Sequence, residues 1–127
     1  MDLKIKLLKF PNGLNYLVVL AQGIIDRKAL ERVFGEVKRT SRALSSCAVF
    51  IDLEEAILKV QPSGIHAVAK QFGPDLKLNI IKVAVVSSEF DHCRRLHVLR
   101  EALCRQGLRV ALFGDTKTAA AWLSDPI

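Results

Sequence analysis

The sequence lacks most of the features that mark specialised protein classes. Aromatic residues make up only 6% of the 127 residues, and no segment is dominated by glycine, proline, serine or charges of one sign, so disordered and low-complexity classes are excluded. The three cysteines, Cys47, Cys93 and Cys104, are an odd number without a C-x-x-C pair, which argues against a disulfide framework or a zinc ribbon. The longest apolar run, YLVVLA at 16–21, is far shorter than the about 20 residues that cross a bilayer. Lysines interrupt the N-terminal segment MDLKIKLLKF, unlike an export signal, so we expect a cytoplasmic protein without a membrane partner.

Motifs for catalysis and for phosphate loops are also missing. Neither G-x-S-x-G nor G-x-G-x-x-G nor G-x-x-x-x-G-K-[ST] occurs. The spacing of His66, His92 and His97 does not assemble a nucleophile, a base and an orienting group. The adjacent acids Glu54 and Glu55 are expected to be solvated in a loop. We therefore expect neither an enzyme nor a cofactor.

The segment 91–109 is the richest in groups that bind metals or phosphates. Cys93, His97, Glu101 and Cys104 fall along one side of a predicted helix. The two cysteines would lie about 16 Å apart along the helix axis, too far for one tetrahedral metal site. Arginines make the same helix basic, but no aromatic residues alternate with them to stack on bases. The net charge of +6 suits an acidic partner, yet we expect neither a metal site nor a nucleic-acid partner.

Apolar segments alternate with amphipathic ones along the chain. Hydrophobic residues make up 50%, enough for the core of a single domain over 1–127. The turn sequence PNG lies between two strand-like segments, LKIKLLKF and LNYLVVLAQG, and this arrangement predicts a hairpin. Further strands are predicted at 47–53, 80–87 and 108–113, and helices at 26–40, 65–72 with an end at Gly73-Pro74, 89–106 and 115–124. The sequence thus predicts an α/β fold, with a mixed, mostly parallel five-stranded sheet, an N-terminal hairpin and four helices.

In such a sheet, ligands and partners bind beyond the carboxyl ends of the strands. Four predicted loops meet there, at 22–26, 52–64, 87–90 and 113–117. The first contains Asp26, which we predict to cap the first helix.

The longest of these loops ends in VQPSG at 60–64. Pro62 suits a first helical turn, and Gly64 has no side chain to crowd an approaching molecule. A phosphate on Ser63 would lie where a helix N-terminus favours negative charge. The alternative is that Ser63 is only an N-cap.

Two segments carry a resemblance to a known family. The first resembles the central part of a STAS domain, the module of sulfate transporters and anti-sigma-factor antagonists, and reads CAVFIDLEEAILKVQPSGIHAVAKQFG. The second is similar to the end of the SpoIIAA-like group and reads RVALFGDTKTAAAWL. The resemblance implies that Ser63, before Gly64, occupies the position of the family's phosphorylated serine, and Asp52 the end of its central strand. Gln61 and Pro62 replace the Asp-Ser that precedes this serine in the family.

The same resemblance implies a regulatory interaction module. Its partner would be a protein, by analogy an anti-sigma-factor-like kinase, bound by a surface that includes Asp26, Asp52 and residues 61–64. The Ala-Trp-Leu ending also implies an alternative, a carrier or sensor of a small apolar ligand in a pocket between helices and sheet. Phe72, Phe90 and Trp122 would line that pocket. A homodimer through an exposed sheet edge stays open.

Overall fold

Apolar and polar residues alternate over the first part of the chain, and this pattern forms the predicted hairpin. The computed structural model describes residues 1–44, 46–89 and 93–125. In the hairpin, β1 (Asp2–Lys9) pairs antiparallel with β2 (Asn15–Ile25). Within the turn, Asn12 Oδ1 accepts a hydrogen bond from the Leu14 N–H at 2.9 Å, and Gly13 has a φ of 89°, which favours glycine.

The rest of the described chain alternates helices with parallel strands. The elements are α1 (Arg27–Ser41), β3 (Cys47–Asp52), β4 (Ala56–Leu58), α2 (Pro62–Leu76), β5 (Ile80–Val86), α3 (Arg94–Arg105), β6 (Val110–Phe113) and α4 (Thr116–Ser124). The sheet runs in the order β1-β2-β3-β5-β6, with β4 paired to β2, and all pairs except β1 with β2 are parallel. The predicted fold class, a mostly parallel mixed sheet with four helices, is confirmed.

The alternating side chains of the strands build two separate cores. Along β3, Cys47, Val49 and Ile51 face one side and pack with α1, α2 and α3. Ala48 and Phe50 face the other side and pack with α4. We call these sides the three-helix face and the α4 face.

A sixth strand corrects the predicted count of five. The three residues of β4 lie inside the segment 52–64, which we predicted as a loop. They pair with Gly23–Ile25 of β2, beyond the point where β3 ends opposite Leu20. Pairing there satisfies backbone groups that β3 does not reach.

The second helix is longer than predicted. It does not end at Gly73-Pro74 but continues to Leu76. Proline removes one backbone donor, and in the last turn this costs the helix only one internal hydrogen bond. A Cβ on Gly73 would lie 2.5 Å from the Cβ of Gln106, so the glycine serves close packing against the end of α3. The third helix begins at Arg94 rather than 89.

Candidate functional site

The carboxyl ends of the strands bring the four predicted loops to one edge of the sheet. The Gly23 N–H donates to the Glu55 carbonyl at 2.9 Å, which joins the first loop to the second. The Leu53 N–H donates to the Val86 carbonyl at 2.9 Å, and the Ser87 N–H to that of Phe113 at 3.0 Å. The described parts of the four loops therefore form one continuous surface, the carboxyl edge.

Helix α2 begins at this edge with a hydroxyl open to solvent. The helix begins at Pro62, earlier than the predicted stretch 65–72, although Pro62 lies in the first turn as predicted. Gln61 occupies the N-cap position in an extended conformation. The Gln61 side chain makes no capping hydrogen bond, and Ser63 is exposed in the first turn. The interpretation of Ser63 as the N-cap is therefore wrong, because the helix begins one residue before it.

Two arginines from neighbouring helices approach the start of α2. Arg95, in the first turn of α3, donates from Nε to the Val60 carbonyl at 3.2 Å. The Cδ of Arg27, the first residue of α1, lies 3.7 Å from the position of a Cβ on Gly64, while Arg27 Nε donates to Glu31 Oε1 at 3.3 Å. A helix N-terminus with the Arg95 guanidinium and the Arg27 side chain close by is a favourable environment for an anion.

Gly64 permits the close packing behind Ser63. A Cβ at Gly64 would lie 3.0 Å from the Cγ1 of Val60, tighter than ordinary van der Waals contact. Gly64 itself is buried, while Ser63 points to solvent. The glycine thus supports the geometry of the turn rather than leaving space for an approaching molecule.

The two predicted aspartates each hold a local turn. Asp26 Oδ1 accepts from the Ala29 N–H at 2.8 Å, so the predicted cap of α1 is confirmed. Asp52 Oδ1 accepts from the Glu54 N–H at 3.0 Å just after β3. By strand alternation Asp52 lies on the α4 face, whereas α2 packs on the three-helix face, so the fold does not direct this carboxylate toward Ser63.

A groove that the sequence did not predict lies beside this helix start. Its volume is about 310 Å³, and β4, the residues after β5 and the start of α3 form its walls. Glu54 Oε2 accepts from the Ser88 N–H at 3.1 Å across the groove. Arg95 lines the groove and also contacts Val60, so the groove and the start of α2 are neighbouring parts of the carboxyl edge.

The predicted apolar pocket does not form from its predicted residues. Phe72 packs toward Phe34 on the three-helix face, with ring centroids 6.4 Å apart. Trp122 packs toward Phe113 on the α4 face, with centroids 5.5 Å apart. The sheet separates Phe72 from Trp122, so they cannot line one pocket, and Phe90 lies outside the described residues.

A buried lysine was also missed, because it is hidden in the apolar run IIKVAVV. Lys82 is 3% exposed on the α4 face of β5. Its Nζ donates to the carbonyl oxygens of Trp122 at 2.8 Å and Asp125 at 2.7 Å, which anchors the end of α4. Burial lowers the pKa of Lys82, the charge of Arg109 lowers it further, and the charge of Asp125 raises it.

Metal sites and membrane-spanning helices are absent from residues 1–44, 46–89 and 93–125. No group of three or more histidine, cysteine, aspartate or glutamate side chains converges there as a metal site would require. In those ranges no helix has both the length and the apolar character to cross a bilayer.

Comparison with known proteins shows the fold. No family model and no curated protein matches the sequence. One similar structure is that of an uncharacterized protein of the DUF3478 family from Shewanella loihica PV-4, which is described as having a SpoIIAA-like fold. The TM-score is 0.66 and the sequence identity 15%, and the match covers 95% of this chain and 93% of that one. The anti-sigma factor antagonist SpoIIAA in its unphosphorylated form is similar with a TM-score of 0.56, 11% identity, and coverage of 99% and 100%. The chain therefore has the SpoIIAA-like fold.

Proposed function

We propose that this chain is a non-enzymatic protein-interaction module that acts as an anti-sigma-factor antagonist does. The start of α2 would be its contact surface and Ser63 its phosphorylation switch. The similarity to SpoIIAA supports the class of protein, since the fold is shared over nearly the whole chain. Fold alone does not carry function, so the proposal depends on the site itself.

The exposed Ser63 hydroxyl, beside two arginines at a helix start, is the observation that carries the proposal. Unphosphorylated, this surface would be electropositive, because the Arg95 guanidinium and the Arg27 side chain, which also pairs with Glu31, lie beside helix N–H groups. A phosphate would add a charge of about −1.5 to −2 and three acceptor oxygens. A partner that binds the cationic surface would then lose its electrostatic complement.

The partner that this chemistry favours is a protein with an acidic docking surface and kinase activity. Phosphorylation by that partner would make the interaction self-limiting, because the product no longer binds. Gln61 and Pro62 precede Ser63, so no acidic side chain directly before the serine takes part in recognition.

Capture experiments with three variants test the proposal. Immobilised wild-type chain, Ser63→Asp and Ser63→Trp are compared for capture of a kinase-like protein from lysate, and the captured protein is then purified for titration. Ser46→Asp is the matched control, since Ser46 is exposed just before β3, at the opposite edge of the sheet. Urea unfolding checks that each variant is folded; an aspartate in the first turn of a helix is expected not to reduce stability.

We expect Ser63→Asp and Ser63→Trp to weaken binding at least about tenfold, which is about 1.4 kcal/mol, and Ser46→Asp to leave it unchanged. If only Ser63→Asp binds as well as the wild type, phosphorylation of Ser63 is ruled out as a switch, because the added charge has no effect. If Ser63→Trp also binds unchanged, the start of α2 is ruled out as the contact surface, because a bulky side chain at a true contact must interfere.

A further inference from the structure

The groove beside the start of α2 carries charged groups of both signs. Its volume of about 310 Å³ is at the small end of ligand sites, which begin at about 300 Å³. Glu54, Glu89 and Arg95 line it, so two carboxylates and one guanidinium give it a net negative charge. The groove lies at the carboxyl edge, where open α/β sheets bind their ligands.

These three charged groups do not pair with one another. In the part of the chain that the structure describes, no ion pair joins Arg95 to Glu54 or Glu89. Arg95 donates only from Nε, to the Val60 carbonyl, which leaves its other N–H donors open to a ligand. Glu54 accepts one backbone hydrogen bond, from Ser88, so its carboxylate also keeps acceptor capacity. The groove thus offers one donor group for an anion and two acceptor groups for cations.

Part of the groove wall is apolar and fixed in place. Leu53, Leu58 and Leu96 line the groove and belong to the core of the three-helix face. They are only 6%, 7% and 3% exposed, so core packing holds their side chains. An aliphatic segment of a ligand would be removed from water against this wall, which favours binding.

We propose that the groove binds a free α-amino acid with a cationic side chain, of which L-lysine is the simplest example. The ligand carboxylate would bind the Arg95 guanidinium, and its two ammonium groups would bind Glu54 and Glu89. Its aliphatic chain would lie against the leucines. This ligand carries one negative and two positive groups, the complement of the groove, whereas a diamine has no group for Arg95 and a neutral aliphatic amino acid leaves one glutamate without a partner.

The site depends on all three charges and the apolar wall acting together. Exposed ion pairs contribute little one at a time, and the ligand has only about ten non-hydrogen atoms. We therefore expect a dissociation constant on the order of 0.1–1 mM for L-lysine. This inference does not rest on the proposed function, because none of the three charged side chains needs a modified Ser63.

Calorimetric titration of the full chain tests the inference. L-lysine is titrated at about 0.15 M salt, which screens nonspecific attraction between exposed charges. L-leucine, which lacks the second ammonium group, and 1,5-diaminopentane, which lacks the carboxylate, are the comparison ligands. We expect each of these to bind at least about tenfold more weakly than L-lysine.

Matched variants locate the charged contacts. Arg95→Gln, Glu54→Gln and Glu89→Gln are each expected to weaken the binding of L-lysine at least about fivefold. Arg94→Gln and Glu55→Gln should leave it unchanged, because these exposed neighbours carry the same charges outside the groove. Urea unfolding of each variant verifies its fold.

Thiol labelling checks the position of the bound ligand independently. Cys93 lines the groove, whereas Cys104 is exposed near the other end of α3. Saturating L-lysine should slow the alkylation of Cys93 by iodoacetamide several-fold and leave that of Cys104 unchanged. Mass spectrometry of the digested protein measures the two rates separately.

Four results would overturn the inference. The first is a dissociation constant for L-lysine above about 10 mM. The second is equal binding of L-leucine or 1,5-diaminopentane, since the proposed charge complement would then be missing. The third is unchanged binding by the Arg95→Gln or Glu54→Gln variant. The fourth is binding of L-lysine without protection of Cys93, which would place the ligand elsewhere on the chain.

Discussion

Replacement of Gly73 by alanine tests how the end of α2 packs on the end of α3. The added Cβ would lie 2.5 Å from the Cβ and 2.6 Å from the Cγ of Gln106. The first of these atoms is attached directly to the backbone, so a rotation of the Gln106 side chain cannot relieve the contact. The two helix ends must therefore move apart.

The expected magnitude follows from two opposing terms. Overpacking of a tight contact costs about 1–3 kcal/mol. Alanine in place of glycine inside a helix recovers at most about 1 kcal/mol. We therefore expect Gly73→Ala to reduce the free energy of unfolding by about 1–2 kcal/mol.

Gly35→Ala is the matched control, because Gly35 is also helical and its Cβ would meet only Phe72 Cε1 at an ordinary 3.9 Å. It should stabilise the protein by about 0.5–1 kcal/mol, since the helix propensity gain is then unopposed. Removal of the Gln106 Cβ by Gln106→Gly should turn the effect of Gly73→Ala from destabilising to neutral or stabilising.

Urea unfolding followed by circular dichroism measures both effects. A loss of about 1–2 kcal/mol lowers the midpoint by roughly 0.5–1 M for a domain of this size. If Gly73→Ala stabilises the protein as much as Gly35→Ala does, the close packing of α2 on Gln106 is refuted.

Two further predictions concern buried ionisable groups. Because the pKa of folded Lys82 is lowered from 10.5, the unfolded chain binds more protons between the two pKa values, and wild-type stability should rise with pH up to about 10.5. Lys82→Met should lose that part of the rise in urea titrations at several pH values, and an identical slope in both proteins would contradict the burial of a charged lysine. Burial raises the pKa of Cys47 to about 11, so at about pH 8 a thiol reagent should label the exposed Cys104 rapidly and Cys47 only on unfolding. Equal labelling rates for the two in the folded protein would show that Cys47 is accessible.

Local patterns predicted the elements whose signals lie within a few residues. The hairpin follows from the alternation around PNG, and the cap of α1 from Asp26 followed by an apolar stripe. Strand β4 was missed because three residues give too short a pattern, and they form a strand only by pairing with Gly23–Ile25, far away in the sequence. The stop signal at Gly73-Pro74 failed because a proline in the last turn costs the helix only one internal hydrogen bond, so the helix continues to Leu76.

The candidate site could be predicted only as far as a single loop. The sequence gives an exposed helix start at Pro62 and Ser63, and the structure has one. It gives no reason for Arg27 and Arg95 to meet there, because each belongs to another helix and their approach depends on tertiary packing. The predicted apolar pocket failed for the same reason, since periodicity does not tell which face of a sheet a helix covers.

The environment at the start of α2 can be measured without any partner. Phosphoserine is incorporated at position 63, and in a second protein at position 46, and the second pKa of each phosphate is determined by ³¹P NMR titration. At position 63 we expect this pKa to fall clearly below its ordinary value of about 6, because the helix N-terminus and the nearby side chains of Arg95 and Arg27 stabilise the dianion, while position 46 should stay near 6. Equal pKa values at the two positions would contradict a site built to respond to a phosphate on Ser63.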